Sequence, residues 1–111
     1  MKLTKKQIKA IEDIDFTVKV FDDYISFQWF SPAGQDFNCE INLDGEKKAA
    51  ELYSKIYDYY YGYDPSEEAM LWLDSSGHGT NGAPYEMDDV YDDMCACRDK
   101  LNELTHVFAR F

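Results

Sequence analysis

Between Asp15 and Leu43 apolar residues recur at every second position, and this alternation constrains the fold more than any other feature of the chain. Phe16, Val18 and Val20 alternate with Thr17 and Lys19. Ile25, Phe27 and Trp29 alternate with Ser26 and Gln28, and Phe37, Cys39, Ile41 and Leu43 with Asn38, Glu40 and Asn42. Successive side chains of a strand point to opposite faces, so each run reads as an amphipathic strand. The links, Asp22-Asp23 and Ser31-Pro32-Ala33-Gly34-Gln35, are short, which predicts an antiparallel meander. One face of that sheet is apolar and needs at least one helix to cover it.

The flanking segments change period and supply the helices. Leu3, Ile8, Ile11 and Ile14 form one stripe of a short helix beginning near Thr4, with Lys5, Lys6 and Lys9 on its other face. Asp44 is expected to cap a second helix that starts at Gly45-Glu46-Lys47 and runs to about Tyr61. Its covering stripe is Ala49, Leu52, Ile56 and Tyr59 or Tyr60, with Tyr53 and Tyr57 flanking. Gly62 ends it. Asp64-Pro65-Ser66-Glu67 then has the cap, first-turn proline and capping-box order of a new helix, which carries Ala69, Met70, Trp72 and Leu73. Residues 74–83 hold three glycines and read as a loop.

From Pro84 to Phe111, Met87, Val90, Met94, Cys97, Leu101, Leu104, Phe108 and Phe111 fall at alternating spacings of three and four, the seam of one long helix. Such a seam packs on the body of its own chain or on a second copy; a homodimer through Met87 to Phe111 is the self-association alternative. The expected architecture is α+β: an N-terminal helix, a three-stranded antiparallel meander, then two or three helices including a long C-terminal helix. A single domain over residues 1–111 is expected, with helix and meander in 1–44, acidic helices in 45–73, the loop in 74–83 and the long helix in 84–111.

Charge narrows the classes of partner. The net charge is −11, yet residues 1–20 carry five Lys against three acids, so the deficit lies in the remainder. Ile56 to Cys97 contains no Lys or Arg but ten carboxylates and seven of the nine tyrosines, which defines an acidic, aromatic surface. Such a field repels DNA, RNA and anionic membranes and speeds encounter with basic proteins. The high aromatic content (16%) argues for a packed core rather than an acidic disordered tail. Cys39, Cys95 and Cys97 are too few and too poorly spaced for a disulfide framework, and no apolar run suits a signal peptide or membrane span, so a cytoplasmic location is expected.

Chemistry-bearing motifs are weak. Asp74-Ser75-Ser76-Gly77-His78-Gly79 resembles the opening of a calcium loop, but its fifth position is His and Glu86 lies one residue beyond the required bidentate Glu. Cys95 and Cys97 stand two apart in a helical pattern, with side chains about 200° apart, so one zinc ion cannot readily use both. His78 beside Ser75, Ser76 and Asp74 has no accompanying nucleophile turn. No enzyme, cofactor or metal is expected. The acids Asp88, Asp89, Asp92 and Asp93 form two like-charge pairs at a spacing of four, a cost that suits a basic partner or an ordinary solvated helix.

The order of helix, three-stranded meander and acidic helices resembles the small anti-CRISPR proteins of phages and mobile elements that inhibit the nuclease of type II-A systems. Asp15-Phe16-Thr17-Val18-Lys19, Gly34-Gln35-Asp36-Phe37, and Tyr63-Asp64 followed by Glu67-Glu68 carry the likeness, over about residues 1–75. It implies a non-enzymatic nucleic-acid mimic in a host bacterial cell, whose Asp15, Asp36, Asp64, Glu67 and Glu68 occupy the basic DNA-binding site of a defence nuclease. Read from the residues themselves, Asp58, Tyr63, Asp88, Asp89, Asp92 and Asp93 join them as partner-binding candidates. The alternative is an acidic protein-interaction module such as an immunity or self-associating accessory protein.

Overall fold

The computed structural model describes residues 1–34, 36–73 and 87–111, with Met87 described through its backbone alone. The calcium-like segment, His78, Gln35 and the expected helix start at Pro84 lie outside the described residues. The elements are α1 (Lys5–Glu12), β1 (Thr17–Val20), β2 (Tyr24–Phe30), β3 (Asp36–Asn42), a 3₁₀ turn at Ala49–Leu52, α2 (Tyr53–Gly62), α3 (Pro65–Leu73) and α4 (Met87–Ala109). The chain is α+β, as the alternation and spacings require.

Helix α1 starts where its side chains can satisfy orphan backbone groups. Thr4 Oγ1 accepts from the Gln7 N–H at 3.1 Å while the Gln7 side chain accepts from the Thr4 N–H at 2.9 Å, a reciprocal capping box. The helix closes through the Phe16 N–H to the Ile11 carbonyl and the Asp15 N–H to the Glu12 carbonyl, at 3.3 and 2.8 Å. That closure places Asp15 at φ 69°, a left-handed position that normally goes to glycine.

The sheet is the expected meander in order β1-β2-β3, both pairs antiparallel. Val18 faces Phe27, Phe27 faces Cys39, Ile25 faces Ile41 and Trp29 faces Phe37, so the alternating apolar residues share one face. The Leu43 N–H donates to the Asp23 carbonyl at 2.8 Å. Counting in twos from that bonded pair, Ile41, Cys39 and Phe37 turn their backbone groups toward β2, while Asp36, Asn38, Glu40 and Asn42 turn theirs to the outer edge. Lys55 Nζ confirms the parity by donating to the Asn42 carbonyl from outside, at 2.8 Å.

The sequence expectation fails locally at Asp44. Asp44 and Gly45 have φ 47° and 86°, and the Glu46 N–H donates to the Leu43 carbonyl at 2.8 Å, a tight turn with two left-handed central residues. Asp-Gly strongly favours that geometry, which excludes a helix start there. The next helical residue is Ala49, and its 3₁₀ turn has no side-chain cap. Asp44 instead joins Glu46 in holding Lys55, at 2.7 and 3.0 Å.

The apolar sheet face is covered by α2 and α4 in one cluster of buried residues. Leu52 and Ile56 arrive from the helical segment after the turn; Val90, Met94, Cys97, Leu101, Leu104 and Phe108 arrive from α4, all buried. Phe27 meets Phe108 edge-on at 5.6 Å and Phe16 at 6.3 Å, joining sheet, long helix and the end of α1. The seam of α4 is therefore spent inside its own chain. A homodimer could use it only by opening this core, because each buried leucine there represents about 2–5 kcal/mol of packing.

Candidate protein-binding surface

Two depressions meet at the first residues of β3. The first, about 370 Å³, is lined by Asp15, Thr17, Gln28, Trp29, Phe30, Asp36, Phe37 and Asn38. The second, about 400 Å³, runs from Asp36, Phe37 and Asn38 across to Tyr59, Tyr63, Glu68, Leu71, Trp72 and Met94. Asp36, Phe37 and Asn38 line both, so the acidic residues Asp15, Asp36 and Glu68 lie along one track around the start of β3.

Each carboxylate is set by a local element. Asp15 stands on the closing turn of α1 with its side chain 79% exposed; Lys100 Nζ lies 3.9 Å away but is closer, at 2.8 Å, to Glu103, and also lies over the Trp29 ring. With the Asp15 carboxylate largely in solvent and Lys100 held closer to Glu103, this long pair is worth little, which leaves Asp15 available to a partner's cation. Asp36 is exposed on the wet face, opposite Phe30. Asp64 caps α3 as expected: its Oδ1 accepts from the Ser66 N–H at 3.0 Å, with Pro65 in the first turn.

Glu68 lies one turn further along α3. Partial burial raises its pKa first, and the charges of Glu67 and Asp64 raise it further. Three acids at the front of one helix thus repel one another next to a half-apolar groove, partly offset by the helix dipole. A guanidinium or ammonium group placed there would relieve that repulsion. Tyr59, between Glu68 and the edge strand, has its phenol pushed up to about 12, by burial first and then by Cys39, Glu68 and Glu40.

Tyr63 and Asp93 need correction as partner-facing residues. Tyr63 is buried, donating to Met94 Sδ at 3.3 Å and meeting Phe37 edge-on at 5.9 Å, with its pKa raised chiefly by burial. Asp93 is buried as well: Oδ2 accepts from the Ser31 hydroxyl at 2.8 Å and Oδ1 from the Ala33 N–H at 2.9 Å. It ties α4 to the turn that leads into β3 and positions the depressions instead of facing out. Asp88, Asp89 and Asp92 are exposed on α4, and Asp58 is exposed on α2; none of the four lines either depression.

The tyrosine run divides in two. Tyr59 and Tyr60 are half-buried and Tyr63 buried, while Tyr53, Tyr57 and Tyr61 form an exposed ladder with 6.2 Å between successive rings. Arg98 lies 5.4 Å over the Tyr60 ring, showing how a guanidinium seats on this helix.

Sequence reasoning passed over Phe30 and Leu71, 73% and 60% exposed, which rim the two depressions. Phe30 had a signal: it follows Trp29 directly and so falls on the wet face of an otherwise alternating strand. Among the described residues no group of three His, Cys, Asp or Glu is placed to hold a metal, and no helix is long and apolar enough to cross a membrane. No protein-family model, curated protein or solved structure matches the chain.

Proposed function

We propose that this protein is a non-enzymatic inhibitor that occupies a basic nucleic-acid site on a bacterial defence nuclease, in the manner of the anti-CRISPR proteins its sequence resembles, in the host cytoplasm. The observation that carries the reading is the shared position of Asp36: Asp15 and Glu68, far apart in sequence, lie on either side of it along one track. Asp64 and Glu67 extend the acidic rim along α3. Carboxylates spaced along a groove replace phosphates as acceptors for arginine and lysine, and the rigid scaffold presents them at low entropic cost.

The reading is tested by titrating the protein into a DNA-cleavage reaction of a type II-A RNA-guided nuclease at low and high salt. Cleavage is expected to be relieved at low salt, with relief weakened as salt rises. Charge reversal at Asp15, Asp36 and Glu68 together should abolish relief while circular dichroism stays unchanged. Full cleavage at every protein concentration, or equal inhibition by the triple variant, would overturn the proposal.

A further inference from the structure

The outer edge of β3 has a feature that the acidic track does not use. Asp36, Asn38 and Glu40 direct their backbone N–H and C=O groups away from β2, and none of these groups has a backbone partner among the described residues. An open strand edge templates further pairing unless proline, lysine, a bulge or a covering element blocks it. β3 contains no proline and no lysine, and its register with β2 is unbroken from Asp36 to Asn42. Among the described residues it is stopped at its last position, where Lys55 takes the Asn42 carbonyl.

Beside this edge runs the second depression, walled by Tyr59, Leu71 and Trp72 on the helical side. We propose that the β3 edge takes up an extended segment of another protein, in which lysine or arginine alternates with apolar residues, as a fourth strand of the sheet. The alternation follows from the pleat. Residues of the added strand level with Asp36, Asn38 and Glu40 lie on the wet face, beside two carboxylates; residues level with Phe37 and Cys39 turn toward the tyrosine and leucine wall. Neither depression has a lysine or arginine in its lining, so the charge complement is a cationic segment. A second copy of the same edge is the wrong occupant, because it would set Asp36 and Glu40 against acids of the same kind. This strand pairing shares Asp36 and the second depression with the nuclease proposal but is carried by the β3 backbone groups, not by Asp15 or the acids of α3.

The test uses the full chain and a fluorescein-labelled heptapeptide alternating lysine with valine, read by fluorescence anisotropy. Saturable binding is expected, lost when glutamate replaces lysine. Two N-methylated versions, one blocking the lysine amides and one the valine amides, separate strand pairing from general charge attraction. A strand pairs through one edge, so one version should weaken about tenfold and the other stay within about threefold. Glu40→Pro removes an edge N–H without touching a β2–β3 bond and should weaken binding about tenfold, whereas Glu40→Gln, which keeps that N–H, should cost less. Equal affinity of the two N-methylated peptides, or no binding of the parent peptide, overturns the proposal even if Glu40→Pro fails to fold.

Discussion

The carboxylate of Asp93 accepts the Ser31 hydroxyl at 2.8 Å across 62 residues of sequence, and its second oxygen takes the Ala33 N–H at 2.9 Å. One buried acid on α4 thereby fixes the turn from which β3 departs, and with it the position of Asp36. Replacing Asp93 by alanine leaves buried donors without that acceptor, at a cost of about 2–3 kcal/mol. Asparagine, which can still accept from the amide and donate to the hydroxyl, should cost less. Alanine at Asp92, one residue away and exposed, should change stability by about 0.5 kcal/mol or less. Urea denaturation of the three variants checks the order; equal losses at 92 and 93 would refute the tie.

Asp15 offers a way to separate fold from binding. Its left-handed φ of 69° is strained for a residue with a side chain, so Asp15→Gly should leave stability unchanged or raise it by up to about 1 kcal/mol. The same variant removes a carboxylate from the track and should weaken nuclease inhibition. A thermal midpoint clearly below that of the parent would mean that the Asp15 side chain has a structural role.

Glu68 gives a pH signature. Its pKa is raised in the folded protein, so the ionised side chain opposes folding, and the protein is relatively more stable below the ordinary carboxylate range than at neutral pH as far as this group is concerned. Glu68→Gln should stabilise the protein at pH 7 by about 0.5 kcal/mol or less given its exposure, and so raise the melting temperature slightly. The difference should vanish near pH 3, where the parent side chain is itself neutral. Melting curves of both proteins across that range decide the point.

The thiols and one phenol predict the alkaline limit. Burial holds Cys39 and Cys97 up at about 12 against an ordinary 9.0, and Tyr59 at about 12 against 10.0. Groups with raised folded values contribute stability that is complete below the unfolded pKa and lost as pH rises toward the folded one. Stability should therefore fall from about pH 9 upward, and ionisation should accompany unfolding rather than precede it. In the native state at pH 8 only Cys95, the thiol that is not fully buried, should react promptly with a disulfide reagent. Rapid modification of all three would contradict the packing.

Leu101 tests the fate of the α4 seam. It is fully buried in the chain's own core, so Leu101→Ala should cost about 2–5 kcal/mol. The loss should not depend on protein concentration, as it would if the seam joined two copies. Melting temperatures measured over a hundredfold dilution series make the distinction.

Much of the fold is legible in local pattern because period and punctuation are local physics. The two-residue alternation of Phe16 to Leu43 requires strands with one apolar face, short links make them antiparallel, and Thr4 and Asp64 start helices by satisfying backbone N–H groups within three residues. Even the misreading at Asp44 had a local remedy, since Asp-Gly is the dipeptide of a tight hairpin-type turn. What tertiary structure alone decided is which acids face out. Asp92 and Asp93 are adjacent and chemically identical, yet about 100° of helix rotation leaves one in solvent and turns the other onto Ser31. The meeting of Asp15, Asp36 and Glu68 around β3 is likewise a product of packing, because no sequence period relates a helix end, a strand start and the first turn of α3.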